Sequence, residues 1–241
     1  MLQLTELQKK YGSFLAVNKI NLTVAKGELF GFLGPNGAGK TTTIKMITGL
    51  LNPTFGNVKL DSVDVWKNPI QSKRKIGYIP DQPFLYDKLT GREFLYFSGG
   101  LYEIPLKELT SSIDEMIEKL KIGSWIDKRT EEYSQGMRQR TAIASAFVHK
   151  PELIIVDEPM VGLDPQSALL VKKLFAESAK NGITVFMSTH SLNVVEEICT
   201  DVAIINKGKI IFRDKIDELH KLKLKHDSSI EELFIELTDE E

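Results

Sequence analysis

Cysteine is almost absent from this chain of 241 residues: Cys199 stands alone, which excludes an intrachain disulfide. A single thiol fits a reducing compartment and reads as a small buried hydrophobe. Long apolar runs are missing too, since none approaches the roughly eighteen residues that a membrane-spanning helix needs. The opening Met1 to Glu6 has neither the basic start nor the apolar stretch of a secretory leader. The expectation is a chain that stays in the cytoplasm and meets a membrane only through a partner. A dominant charge is also lacking. The chain has 31 Lys and Arg against 33 Asp and Glu, a net charge of −2, so no overall basic field favours nucleic acid. No internal repeat or low-complexity linker interrupts the chain. Its length suits one large domain, or a core with an inserted subdomain.

What is present is a succession of short strand and helix patterns. Leu2 to Leu7 and the alternating Ile20-Asn21-Leu22-Thr23-Val24 read as half-exposed strands of a small antiparallel sheet, ahead of the apolar strand Leu29 to Leu33. Asn52 to Gly56 is a turn, followed by short strands at Val58 to Leu60 and Ile76 to Ile79. From Phe84 to about Lys150 the pattern is helical, with Leu109, Ile113, Met116, Ile117 and Leu120 on one face, and this block reads as an inserted helical subdomain. Leu153 to Asp157 and Ile183 to Met187 are uninterrupted runs suited to a parallel sheet covered on both faces. Between them Pro165 opens a helix that closes at Asn181-Gly182. Val202 to Asn206 and Lys209 to Phe212 form a hairpin over Lys207-Gly208, and the charged tail from Lys215 is expected to be helical. The predicted division is 1–83 for the antiparallel subdomain and the first part of a nucleotide-binding core, 84–150 for the helical subdomain, 151–214 for the rest of the core, and 215–241 for the tail.

Residues 34 to 41, Gly34-Pro35-Asn36-Gly37-Ala38-Gly39-Lys40-Thr41, lie between an apolar strand and a helix-patterned stretch from Thr42. Glycines in this pattern let successive backbone N–H groups turn onto an anion, and the following helix adds its positive end. Lys40 is then placed to reach outer phosphates, and the Thr41 hydroxyl to ligate Mg²⁺. Asp157 and Glu158 follow a strand at the carboxyl edge, where open α/β sheets hold ligands. Asp157 is the natural second-sphere partner for Mg²⁺, and Glu158 is placed to polarise an attacking water. Tyr133-Ser134-Gln135-Gly136-Met137 precedes a helical run, so Ser134 is a helix N-cap and a second candidate anion site, although most such segments only cap helices.

The order of the Gly34 to Thr41 loop, Tyr133-Ser134-Gln135-Gly136, Leu153 to Glu158, Gly162-Leu163-Asp164-Pro165 and Ser188-Thr189-His190 resembles the ATP-binding cassette of ABC transporters over roughly residues 2 to 213. The resemblance implies an α/β fold with a phosphate-loop (RecA-like) core. It also implies a head-to-tail dimer with two MgATP between subunits, each held by the loop of one chain and the Ser134 to Gly136 helix end of the other. Thr42 would then bond an inner phosphate, Glu158 would be the general base, and His190 would link the γ-phosphate to the attacking water. Asp164 would cross the interface, and Tyr11 would stack on adenine.

Met137 and Gln135 depart from the commonest residues of that motif, while Ser134 and Gly136 are kept. The loop that usually presents a Mg²⁺-contacting Gln has Asp81 at that place and Gln82 one residue later, so either is a candidate ligand. Six aromatics, Phe84, Tyr86, Phe94, Tyr96, Phe97 and Tyr102, fall within nineteen residues. That density suits a groove or the local core of the helical subdomain, and the resemblance implies a surface that receives a short cytoplasmic helix of a transmembrane permease. The wording Asp81 to Tyr86, and the ending Ser229 to Leu237, are similar to bacterial cassettes that export drugs, peptides or polysaccharide. A soluble cassette ATPase serving assembly, repair or translation is the competing class. One cassette and no long heptad insertion speak against it, and Ser134 and His190 speak against a phosphate-loop kinase or GTPase.

Overall fold

The computed structural model describes residues 1–219 and 221. The amino-terminal part is a strongly paired antiparallel sheet. Strand β1 (Leu2–Tyr11) turns over Gly12-Ser13 into β2 (Phe14–Val24), and β3 (Leu29–Leu33) leaves for a second sheet. Helix α1 (Lys40–Ile47) follows, then β4 (Phe55–Leu60), β5 (Val63–Asp64), α2 (Pro69–Arg74) and β6 (Ile76–Ile79). The first sheet has the order β2-β1-β4-β5. Its first two strands extend beyond the alternating segments because irregular register, with Glu6 and Lys19 both at φ +49°, carries the pairing past the breaks in the pattern.

Helices dominate next: α3 (Gly91–Gly100), α4 (Leu106–Lys119), a short 3₁₀ turn Thr130–Glu132 and α5 (Gln135–Phe147). Then come β7 (Leu153–Asp157), α6 (Pro165–Lys180), β8 (Thr184–Thr189), α7 (Leu192–Ile198), β9 (Asp201–Asn206) and β10 (Lys209–Lys215). The second sheet has the order β10-β9-β3-β8-β7-β6, parallel except for the antiparallel edge strand β10. Thus Lys215 closes a strand, and helical backbone begins at 216. His220 and residues 222–241, with the Ser229 to Leu237 segment, lie outside the described residues.

Alternation along the central strands explains the two cores. Ile154 and Val156 face a layer with Leu109, Ile113, Met116, Phe147, Val171 and Phe175. Leu153, Ile155, Phe30, Phe32 and Phe186 face the first sheet and α1 through Leu4, Leu22, Val58 and Ile44. Both faces of β7 are therefore dry, as its continuous apolar sequence requires. The helical segment shares the first of these cores, so the central sheet is anchored to α4 and α5 as well as to α6. Where β6 meets α5 there is no space: a Cβ at Gly77 would stand 2.2 Å from the Ala146 carbonyl oxygen.

Candidate active site

β3 ends beside β8, and the phosphate loop starts there: Gly34 N–H donates to the Thr189 carbonyl at 3.3 Å. Two glycines are fixed by contact. A Cβ at Gly34 would lie 2.4 Å from Ile205 O, and one at Gly39, whose φ is +108°, would lie 2.7 Å from Ala16 O. Helix α1 follows with no side-chain cap and no acidic residue in its first turn, leaving its first N–H groups to an incoming anion. Lys40 is buried and donates to the carbonyls of Gly34 at 2.7 Å and Pro35 at 3.1 Å. Burial pulls its pKa below the usual lysine value, while Glu158 and Asp157 act in the opposite direction.

The parallel pairing of β7 and β8 places Asp157 opposite Ser188. Thr41 Oγ1 donates to Asp157 Oδ2 at 2.7 Å, and Ser188 Oγ donates to the other oxygen. Glu158 has φ +49°, a left-handed backbone costing about 1–3 kcal/mol for a residue with a side chain. Its Oε1 lies 2.9 Å from His190 Nδ1 and 3.9 Å from Lys40 Nζ. A carboxylate only accepts, so Nδ1 is the donor and Nε2 remains for another partner. The β8 strand runs two residues beyond its apolar stretch, and those residues, Ser188 and Thr189, are the ones that reach the carboxylates.

Lys40, Thr41, Asp157 and Glu158 border an open cleft of about 440 Å³, together with Asn36, Gly37, Gly39, Thr42, Asp81 and the hairpin aromatics, whereas His190 does not line it and meets it through Glu158. Gly34, Pro35 and Ala38 shape the loop from behind without lining the cleft. Tyr11 and Phe14 close the β1–β2 turn as a register pair and both line the cleft. They are 48% and 64% exposed, and Lys9 Nζ sits 5.3 Å from the centre of the Tyr11 ring. Phe14 carried a readable cue, three residues after Tyr11 across a Gly-Ser turn, and was not singled out from sequence. Asp81 lines the cleft; Gln82 does not, and its N–H donates to Asp81 Oδ1 at 2.9 Å. The Tyr78 hydroxyl is pushed up to about 12 by burial and by the charges of Asp157 and Asp81.

Ser134, Gln135, Gly136 and Asp164 gather elsewhere. Ser134 caps α5 through a 3.3 Å bond from Met137 N–H. Gln135 covers Gly162, where a Cβ would lie 2.5 Å from Gln135 Cδ. Asp164 caps α6, accepting from Ser167 N–H at 2.9 Å and Ser167 Oγ at 2.6 Å, bonds that hold its carboxyl below the usual range. None of these four lines the cleft.

The cleft brings together a glycine-rich loop at a helix start, a lysine, a hydroxyl and two carboxylates, a set suited to a phosphate ligand. Residues 17–161 match the family model described as ABC transporter. The bacitracin transport ATP-binding protein BcrA of Bacillus licheniformis is 39% identical over 227 residues, covering 94% of this chain and 73% of that protein. The linearmycin resistance ATP-binding protein LnrL of Bacillus subtilis is 38% identical, covering 88% of this chain and 68% of its own length. The solved ATP-binding subunit of an ABC transporter superposes with a TM-score of 0.91 at 29% identity, covering 98% of this chain and 99% of that one. A dimeric cassette in a post-hydrolysis state with ADP and Pi superposes with a TM-score of 0.83 at 25% identity, covering 90% and 99%. The chain belongs to the ABC transporter family and is one of its ATP-binding, ATP-hydrolysing cassettes.

Proposed function

We propose that this cassette powers an exporter, dimerising with itself or a homologous cassette around two MgATP and driving a transmembrane permease. The observation that carries the chemistry is the setting of Glu158, held between His190 and Lys40 at the mouth of the phosphate loop. In this reading Lys40 and the loop amides hold the phosphates, Thr42 meets an inner phosphate, and Glu158 takes the proton from the attacking water. His190 keeps Nε2 toward the γ-phosphate. Tyr11 stacks on adenine, and Phe14 adds a second aromatic wall.

The donor set fits Mg²⁺. Thr41 Oγ1 and the Asp157 carboxylate are hard oxygen donors 2.7 Å apart, the atom type that Mg²⁺ prefers. Bound Mg²⁺ would neutralise charge on the outer phosphates. Asp81 is the favoured third contact over Gln82, because it borders the cleft.

Ser134, Gln135, Gly136 and Asp164 are grouped away from the phosphate loop, which suits a role toward the nucleotide of a partner cassette in a head-to-tail dimer. The six clustered aromatics divide. Phe84, Tyr86 and Phe97 form an exposed set in edge contact, Phe94 is buried, Tyr96 donates to Thr110, and Tyr102 stacks on His149. The exposed three support docking of a permease helix on the 84–150 segment, which would work as a lever on the core formed by 1–83 and 151–214. Among the described residues no helix is long and apolar enough to cross a membrane. The proposed place is the cytoplasmic face of the membrane, reached through the permease. Relatives named for bacitracin transport and linearmycin resistance support export of drug-like cargo.

Glu158→Gln tests the reading: MgATP binding should persist while turnover falls roughly a hundredfold or more, with an ATP-bound dimer accumulating on size exclusion. Undiminished turnover would remove Glu158 as base.

A further inference from the structure

Thr189 is the last residue of β8 and works in three directions. Its carbonyl accepts the Gly34 N–H that starts the phosphate loop, at 3.3 Å. Its hydroxyl accepts from Ser191 N–H at 3.0 Å and donates to Glu158 Oε2 at 3.1 Å. The hydroxyl has a single proton, and an amide donor already occupies one of its lone pairs, so that proton is aimed at the carboxylate. The side chain is buried and β-branched, with little freedom at χ1.

The two oxygens of Glu158 are therefore unlike. Oε2 is held by Thr189, and Oε1 faces His190 Nδ1 at 2.9 Å and Lys40 Nζ at 3.9 Å. A single contact on Oε1 from a half-exposed histidine leaves the carboxylate free to rotate; a second, buried contact on Oε2 does not. We propose that Thr189 is a positioning residue for hydrolysis: its hydroxyl fixes the rotation of the Glu158 carboxylate and keeps Oε1 toward Lys40 and the attacking water. Ser188 acts in the same way one residue earlier, on Asp157. Because the phosphate loop hangs from the carbonyl of the same threonine, base and loop share one support.

The inference rests on Glu158 being the general base, and the experiment separates the two ideas. Steady-state ATPase kinetics and MgATP affinity are measured for the parent chain, Thr189→Val, Thr189→Ser, Glu158→Gln and the double variant Thr189→Val with Glu158→Gln. Valine should lower kcat about tenfold with KM and MgATP affinity changed less than about twofold, because orientation matters only as the reaction proceeds. Serine, which keeps the hydroxyl, should restore turnover to within about threefold of the parent. In the Glu158→Gln background the valine change should cost nothing further, since it acts through that carboxylate. Parental turnover in Thr189→Val, a serine variant as slow as the valine one, or an equal loss in the Glu158→Gln background would each overturn the proposal. Thr189→Ala replaces the valine variant should the latter fail to fold. Normal turnover in Glu158→Gln alone would instead overturn the general-base reading.

Discussion

His149 shows how one side chain can tie stability to pH at a distance from the nucleotide cleft. Its ring stacks on Tyr102 at 3.7 Å between centres, and its Nε2 donates to Ile76 O at 3.0 Å. Nδ1 is buried without a partner, so a second proton would create a charge with nothing to receive its hydrogen bond. Burial accordingly pushes its pKa down to about 4 from 6.5, opposed only by the bond to Ile76. An unfolded chain takes up this proton below pH 6.5 and the folded chain refuses it until about pH 4, so the contribution is complete above 6.5 and shrinks as pH falls through that window. Its size is on the order of 1–3 kcal/mol. His149→Phe keeps a stacking ring and removes the titration. Melting temperature followed by calorimetry from pH 7 to 4 should fall less steeply in the variant than in the parent, and parallel curves would show that His149 does not contribute. At this scale the sequence was uneven. The spacing of Gly34 to Thr41, Asp157 and Glu158 is local and could be read, whereas the pairing of His149 with Tyr102 depends on the turns that follow α3 and α5 meeting.

Between elements, a backbone-on-backbone seam joins β6 to α5. Gly77 lets the Ala146 carbonyl approach so closely that a methyl group has no room, and the obstructing atom is backbone, which cannot rotate aside. Gly77→Ala should therefore separate strand from helix at a cost of about 1–3 kcal/mol or more. The matching drop in melting temperature is several degrees for a chain of this size. A melting temperature equal to the parent's would show that the seam yields. The helix α5 that this seam holds also carries Ser134 at its start, so the same variant bears on how firmly that end is aimed. Element types were largely legible: β3, β7 and α6 have long, unambiguous patterns with Pro165 and Gly182 marking the ends of the last. The short α2 and α7, of six and seven residues, were not anticipated, because so few positions cannot establish a helical period.

For the whole molecule, the separation of the Ser134 group from the phosphate cleft is the decisive feature. In the proposed head-to-tail dimer the Ser134 group, which does not line this chain's own cleft, would serve the nucleotide held by the phosphate loop of a second cassette. Lys40→Ala removes the buried ammonium that faces Glu158 across 3.9 Å, and should abolish nucleotide-induced dimerisation. Light scattering with MgATP in the Glu158→Gln background reads this directly. A dimer as abundant as with Lys40 intact would deny lysine that role.

Sequence by itself determined the phosphate loop, the strand that carries Asp157 and Glu158, the family, and the alternation that buries both faces of the central sheet. The loop, the strand and the alternation are local patterns, set by the spacing of glycine, charge and apolar residues along a few turns of chain, and the family follows from the order of such patterns along it. Tertiary structure decided what needs two distant segments to meet. It divided the six aromatics between surface and core, placed Asp81 rather than Gln82 at the cleft, and added Phe14 beside Tyr11. It also brought Ser188 and Thr189 onto the two carboxylates, because the hydrogen-bond register between parallel strands is fixed only when the sheet assembles.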